Sequence, residues 1–135
     1  MIGKSLRDLK EFGVDLSPDD IKGKRVLVCF WDMQQRPSRH SLTQLAGQAG
    51  VLKGKGVLVV AIQASKIDQN ELDGWVKKSN IPFSVGMIQG DAEKARFTWG
   101  VRSLPWLILT DANHVVVSQG FRLEDLNNQL GQDGK

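Results

Sequence analysis

Thiol chemistry is the first possibility this chain raises, and it is limited from the start, because Cys29 is the only cysteine in 135 residues. A lone thiol forms no intramolecular disulfide and builds no multi-cysteine zinc cage, and it leaves the redox compartment open. Cys29 also sits inside the apolar run Val26-Leu27-Val28-Cys29-Phe30-Trp31, where a buried thiol behaves as a small inert hydrophobe. A polar cluster follows, from Asp32 through Gln34, Gln35, Arg36, Pro37, Ser38, Arg39 and His40. A Ser-His-Asp set can be drawn from Ser38, His40 and Asp32. Ser38 and His40 are two apart, however, and residues two apart on a helix do not face each other, so a hydrolase is rejected. Arg36, Arg39 and His40 stand with Ser38 at an expected helix start, where free amides attract anions, although a solvated surface is the simpler reading. His40 and His114 have no acidic or cysteine partner at ligand spacing, so no metal is expected.

The elements that must position these groups follow from hydrophobic pattern. The run 26–31 reads as a strand covered on both faces, and Val57 to Ile62 repeats that signature. Between them Leu42, Leu45, Ala46, Ala49 and Leu52 recur at three- and four-residue spacing, one face of a helix ending near Gly54 or Gly56. Strand, helix and strand make a βαβ unit with a right-handed crossover. Asp68 is placed to cap a helix carrying Leu72, Trp75 and Val76, which Asn80-Ile81-Pro82 stops. Phe83 to Met87 is a short strand, and Asp91 caps a helix with Ala92, Ala95 and Trp99 inward that Gly100 closes. Trp106 to Leu109 and Val115 to Val117 form a hairpin across Asp111-Ala112-Asn113-His114, and Leu123, Leu126 and Leu130 stripe a final helix. The spacing predicts one α/β domain over 1–135, a mixed central sheet with helices on both faces, with 1–22 as a lead-in and 131–135 as a frayed tail. Both ends read as the edges of a domain excised from a larger protein.

Composition narrows the function classes. Hydrophobic residues are 41% and charged residues 24%, an ordinary globular balance. The net charge of +3 is mild and its lysines and arginines are scattered, so no nucleic-acid partner is expected. No stretch approaches the ~20 apolar residues of a membrane span, so no membrane insertion of this segment is expected either.

The order of elements resembles the thioredoxin fold, and two stretches resemble the TlpA-like and AhpC/TSA-type redoxin branch. The first is Phe30-Trp31-Asp32-Met33-Gln34-Gln35-Arg36-Pro37-Ser38-Arg39. Redoxins of this branch read Phe-Trp, a few variable residues, then C-x-P-C followed by arginine. Phe30, Trp31, Pro37 and Arg39 fall in register, and the two cysteine positions fall on Gln35 and Ser38. The second is Gly100-Val101-Arg102-Ser103-Leu104-Pro105 leading into Trp106 to Asp111, which is similar to the family segment whose proline is cis and faces the active-site turn. Phe12-Gly13 and Lys22-Gly23-Lys24 resemble the family lead-in.

The resemblance implies a thiol-disulfide oxidoreductase frame whose C-x-x-C has been replaced. Disulfide exchange needs an attacking thiolate and a resolving thiol, and neither Gln35 nor Ser38 supplies one. Thioredoxins proper carry a buried acid at the position of Cys29, so that proton acceptor is missing too. What the resemblance leaves is the groove beside the cis-proline, where an extended peptide pairs with the backbone without any cysteine. Leu104 and Pro105 on one side face Gln34, Gln35, Arg36, Pro37 and Ser38 on the other, with Trp31 and Trp106 nearby, although core packing is the favoured role of both tryptophans. The expectation is a redox-inactive module, with no cofactor, that binds a peptide or protein partner. The alternatives are an oxidoreductase or peroxidase using Cys29, and a glutathione-binding relative using Ser38. An extracytoplasmic home in a larger bacterial protein is implied by the kinship alone.

Overall fold

The computed structural model describes residues 2–133, with side chains placed through residue 130. All seven residues of strand β1 (Arg25–Trp31) are buried. It pairs in parallel with β2 (Val57–Gln63), Cys29 opposite Ala61, and antiparallel with β4 (Trp106–Thr110), Cys29 opposite Leu107. With β3 (Ser84–Met87) and β5 (Val116–Gln119) the sheet runs in the order β3-β2-β1-β4-β5.

Because side chains alternate along a strand, β1 divides the core in two. Leu27, Cys29 and Trp31 join a cluster with Leu42, Leu45 and Leu52 of α2 (Arg36–Gly54), Leu72 of α3 (Gln69–Lys78), and Leu126 and Leu130 of α5 (Leu126–Asp133). Val26, Val28 and Phe30 face the other way, toward Trp99 of α4 (Ala92–Trp99) and toward Leu9, Phe12 and Val14. Phe12, Phe30 and Trp99 form an aromatic triad with ring centroids 5.4–6.0 Å apart, and the Trp99 indole N–H reaches Glu11 at 3.3 Å. Helices therefore cover both faces, as the pattern predicts.

Local chemistry sets the boundaries. The Asp68 carboxylate accepts the amides of Asn70 (2.8 Å) and Glu71 (3.3 Å), and that of Asp91 accepts Lys94 (3.2 Å), which starts α3 and α4. Gly100, at φ 71°, closes α4. In the β4–β5 turn the Asp111 carboxylate accepts the amides of Asn113 (2.8 Å) and Val115 (3.0 Å). Strand β5 begins one residue later than its apolar run suggests, because Val115 pairs with Ser5 instead. Leu123 opens a 3₁₀ turn (Leu123–Asp125) ahead of α5 rather than the helix itself. Helix α5 runs to Asp133, and the last two residues of the expected tail lie outside the described residues.

The stretch expected as a lead-in holds structure of its own. It contains a 3₁₀ turn (Lys10–Phe12) and the short α1 (Pro18–Ile21), capped by Ser17, whose hydroxyl accepts the Asp20 amide at 3.2 Å. Its backbone lies against β3 so closely that a Cβ on Gly86 would come within 2.5 Å of the Phe12 carbonyl oxygen and 2.7 Å of a Val14 methyl. Substituting Gly86→Ala should therefore force the N-terminal segment off the sheet. We expect a loss of about 1–3 kcal/mol, read as a lowered urea midpoint, whereas Ala at Gly74, where no atom lies within 4 Å, should not lower it.

Candidate functional site

At the end of β1 the chain leaves the sheet at Asp32, and a buried polar network shapes its exit. The Gln63 side-chain amide donates to Asp32 Oδ1 and to Ser65 Oγ, both at 3.0 Å, and its Oε1 accepts the Met33 amide at 2.8 Å. The Gln34 amide also donates to Asp32 Oδ1, at 3.0 Å. Arg39 reaches back from α2 to the Met33 carbonyl at 2.7 Å. A loop fixed from three sides delivers Gln35 to the N-cap of α2, where its side chain makes no capping bond.

Helical geometry then splits the two positions matched to the redoxin cysteines. Gln34, Gln35, Arg36 and Pro37 are exposed, while Ser38 is fully buried. The Ser38 hydroxyl has no hydrogen-bond partner among the described residues. The Leu104–Pro105 peptide is cis, as the resemblance implies. Trp31 is fully buried and packs against Trp75 with ring centroids 5.0 Å apart and planes tilted by 40°, a core role. Trp106 is half-buried and packs over Gly120, where a Cβ would lie 2.7 Å from its ring.

Beside the cis-proline the structure opens a cavity of about 680 Å³. Its walls are α2 on one side, Ser103 to Pro105 on another, and the Gly120 to Glu124 segment on the third. Leu104 and Pro105 are thus brought to it, whereas Gln34 to Ser38 and Trp106 do not line it. Cys29 does, at the floor with Leu45 and Leu107, although only 1% of its surface is exposed. Burial pushes its thiol up to about 12, from an ordinary value of 9.0, by penalising the thiolate. The Cys29 sulfur has one hydrogen-bond contact, a long one of 4.0 Å to the Phe30 carbonyl.

Residue pattern alone did not single out Ser41, Gln44, Gln48, Phe121, Arg122 or Glu124 as wall residues. A signal for part of the set was present, since His40, Gln44 and Gln48 recur every four residues, a polar stripe on one helix face. His114 lines other cavities, and its Nε2 meets the Ile21 carbonyl at 2.8 Å, far from any role with His40.

A thiol:disulfide interchange protein from Bacteroides sp. superposes over 98% of this chain and 89% of its own, with a TM-score of 0.75 and 23% identity. The chain has a thioredoxin-like fold. The thioredoxin domain of a thiol-disulfide oxidoreductase from Bacteroides vulgatus matches over 100% of this chain and 96% of its own, with a TM-score of 0.73 and 21% identity. In sequence, thiol-disulfide oxidoreductase ResA of Bacillus thuringiensis (strain Al Hakam) is 29% identical over 107 residues, 79% of this chain and 60% of that protein. ResA of Bacillus cereus is 28% identical over 118 residues, 87% of this chain and 66% of that protein. The chain thus spans about 60% of the length of the first of these relatives. No protein-family model matches it. Its homologues are thiol-disulfide oxidoreductases, and its single cysteine fits a degenerate C-x-x-C.

The buried thiol has a measurable consequence. Above the ordinary thiol value the unfolded chain sheds the Cys29 proton while the folded chain keeps it, so stability contributed below pH 9 is lost as pH rises toward about 12. The native protein should lose stability across that window more steeply than Cys29→Ala, by at most roughly 1.4 kcal/mol per pH unit. Urea melts at several pH values check it, and parallel slopes would contradict the burial argument.

Proposed function

We propose that this domain binds an extended peptide or protein segment beside Pro105 and does not exchange disulfides. The observation that carries the reading is the absence of an accessible thiol at the mouth of an otherwise intact thioredoxin-like frame. Gln35 holds the exposed position and Ser38 the buried one, and an amide and a hydroxyl have no two-electron couple with a disulfide. The one thiol is buried and held protonated, which removes the nucleophilic form. Binding needs none of these groups. The backbone N–H groups of Ser103 and Leu104 have no hydrogen-bond partner among the described residues, and unpaired amides at a sheet margin suit pairing with an added strand. Placement outside the cytoplasm and membership in a longer polypeptide belong to the same proposal. They are supported by the likeness to ResA, of whose length this chain spans only part.

A second reading, an oxidoreductase using Cys29, is favoured by one observation: the residue lies at the floor of a cavity next to Pro105. Insulin reduction separates the two. The native chain is expected to show no turnover above buffer, and a rate abolished by Cys29→Ser would establish the second reading instead. Restoring the pair by Gln35→Cys with Ser38→Cys should give a protein whose two new thiols close in mild oxidant, leaving only Cys29 to be titrated after unfolding. Three free thiols after that treatment would show that positions 35 and 38 are not the counterparts of a C-x-x-C.

A further inference from the structure

The cavity beside Pro105 has walls of two kinds, and the division narrows what it can hold. The floor and one flank are apolar: Cys29, Leu45, Leu107 and the half-buried Phe121. The α2 wall is polar, with Ser41, Gln44 and Gln48 turned to the cavity and His40 at its edge. None of these four side chains has a hydrogen-bond partner among the described residues. At the outer margin Arg122 and Glu124 neutralise each other at 3.2 Å, both largely exposed, so the entrance selects neither a cation nor an anion.

We propose that this cavity is a subsite for one aromatic side chain with a hydrogen-bonding tip, tyrosine or tryptophan, carried by an extended peptide paired at Ser103 and Leu104. The inference rests on the peptide-binding reading above. An aliphatic side chain would satisfy the floor but would offer nothing to the amides of the exposed Gln44 and half-buried Gln48, so it forgoes a hydrogen bond that a phenol or indole can make. A charged side chain would meet an apolar floor, and the opposite charges at the margin, Arg122 and Glu124, are already paired with each other in water. A phenol or indole meets both demands, laying a flat apolar face on Leu45, Leu107 and Phe121 while its O–H or N–H reaches the amides of Gln44 or Gln48. The neutral Cys29 sulfur suits the edge of such a ring. A volume of about 680 Å³ lies in the range of sites that hold a drug-sized ligand, so one ring fills only part of it and leaves room for water beside the glutamines.

The test uses blocked tetrapeptides Ala-Xaa-Ala-Ala, with Xaa as Tyr, Trp, Leu, Arg or Glu, and p-cresol as a free probe, titrated into the isotopically labelled chain and followed by amide NMR shifts. The Tyr and Trp peptides should shift Ser41, Gln44, Gln48 and Phe121 together with Ser103 and Leu104, and bind at least about tenfold tighter than the other three. Gln44→Ala with Gln48→Ala should erase that preference while Ser103 and Leu104 still respond. Equal affinities for all five peptides, with shifts confined to Ser103 and Leu104, would overturn the subsite and leave the peptide groove standing. No saturable response to any peptide at millimolar concentration would overturn both. A response to p-cresol alone would assign the cavity to a free phenolic molecule and overturn the peptide-borne proposal.

Discussion

Strand β1 has no side that meets water, and the remaining architecture follows from that constraint. Its edges are taken by β2 and β4 and its faces by helices on one side and by α4 with the N-terminal segment on the other. Burying each large apolar side chain of such a strand contributes roughly 1.5–3 kcal/mol, so its register is fixed. A slip of one residue would exchange the two faces completely. With the register fixed, Cys29 must point under α2, and the chain must leave the sheet at Asp32. The Asp32–Gln63–Ser65 network is therefore a response to the strand. A carboxylate at 8% exposure needs donors, and the glutamine at the matching end of β2 supplies them while also receiving the Met33 amide.

The same burial decides the chemistry. Reactive cysteines are partly exposed and sit near positive charge or a helix start, which favours the thiolate, whereas Cys29 is enclosed by the sheet and α2 and held protonated. At the helix start itself, position 35 faces solvent and position 38 faces the interior. A frame built for two thiols would use that asymmetry, one sulfur to attack and one held in reserve. Here the interior position carries a hydroxyl that has no partner among the described residues, and a hydroxyl buried without one is costly. A thiol in its place would lose little, because sulfur is a weak hydrogen-bonding group. Ser38 is thus a poor fit to its surroundings in the respect that a cysteine would not be.

Much of the frame was legible in residue order because its signals are local. Asp68, Asp91 and Gly100 mark helix ends by their own hydrogen bonds or backbone freedom, and the continuous apolar runs of β1 and β2 leave little choice of burial. Two features were not legible for the opposite reason. Leu9, Phe12 and Val14 enter the core through contacts with residues far away in the chain, Phe30, Gly86 and Trp99 among them, and no local periodicity announces a segment that packs irregularly. The cavity likewise joins α2 to residues roughly sixty to eighty positions later. Its stripe of His40, Gln44 and Gln48 reads as an ordinary solvated face until the opposite wall is known.

That opposite wall explains why the opening lies where it does. On the α4 side the triad of Phe12, Phe30 and Trp99 closes over the sheet. On the α2 side the covering has to be completed by the chain that passes from β5 to α5, and it turns too early. Gly120, at φ 71°, takes the chain out of the sheet while its amide donates to the Leu107 carbonyl at 2.9 Å. A larger residue at Gly120 would clash with the Trp106 ring, and Phe121 to Glu124 follow as one wall of the cavity opposite α2. The cavity lies between α2 and this segment, above Cys29 and Leu107, and it adjoins the Ser103 and Leu104 amides that have no hydrogen-bond partner among the described residues.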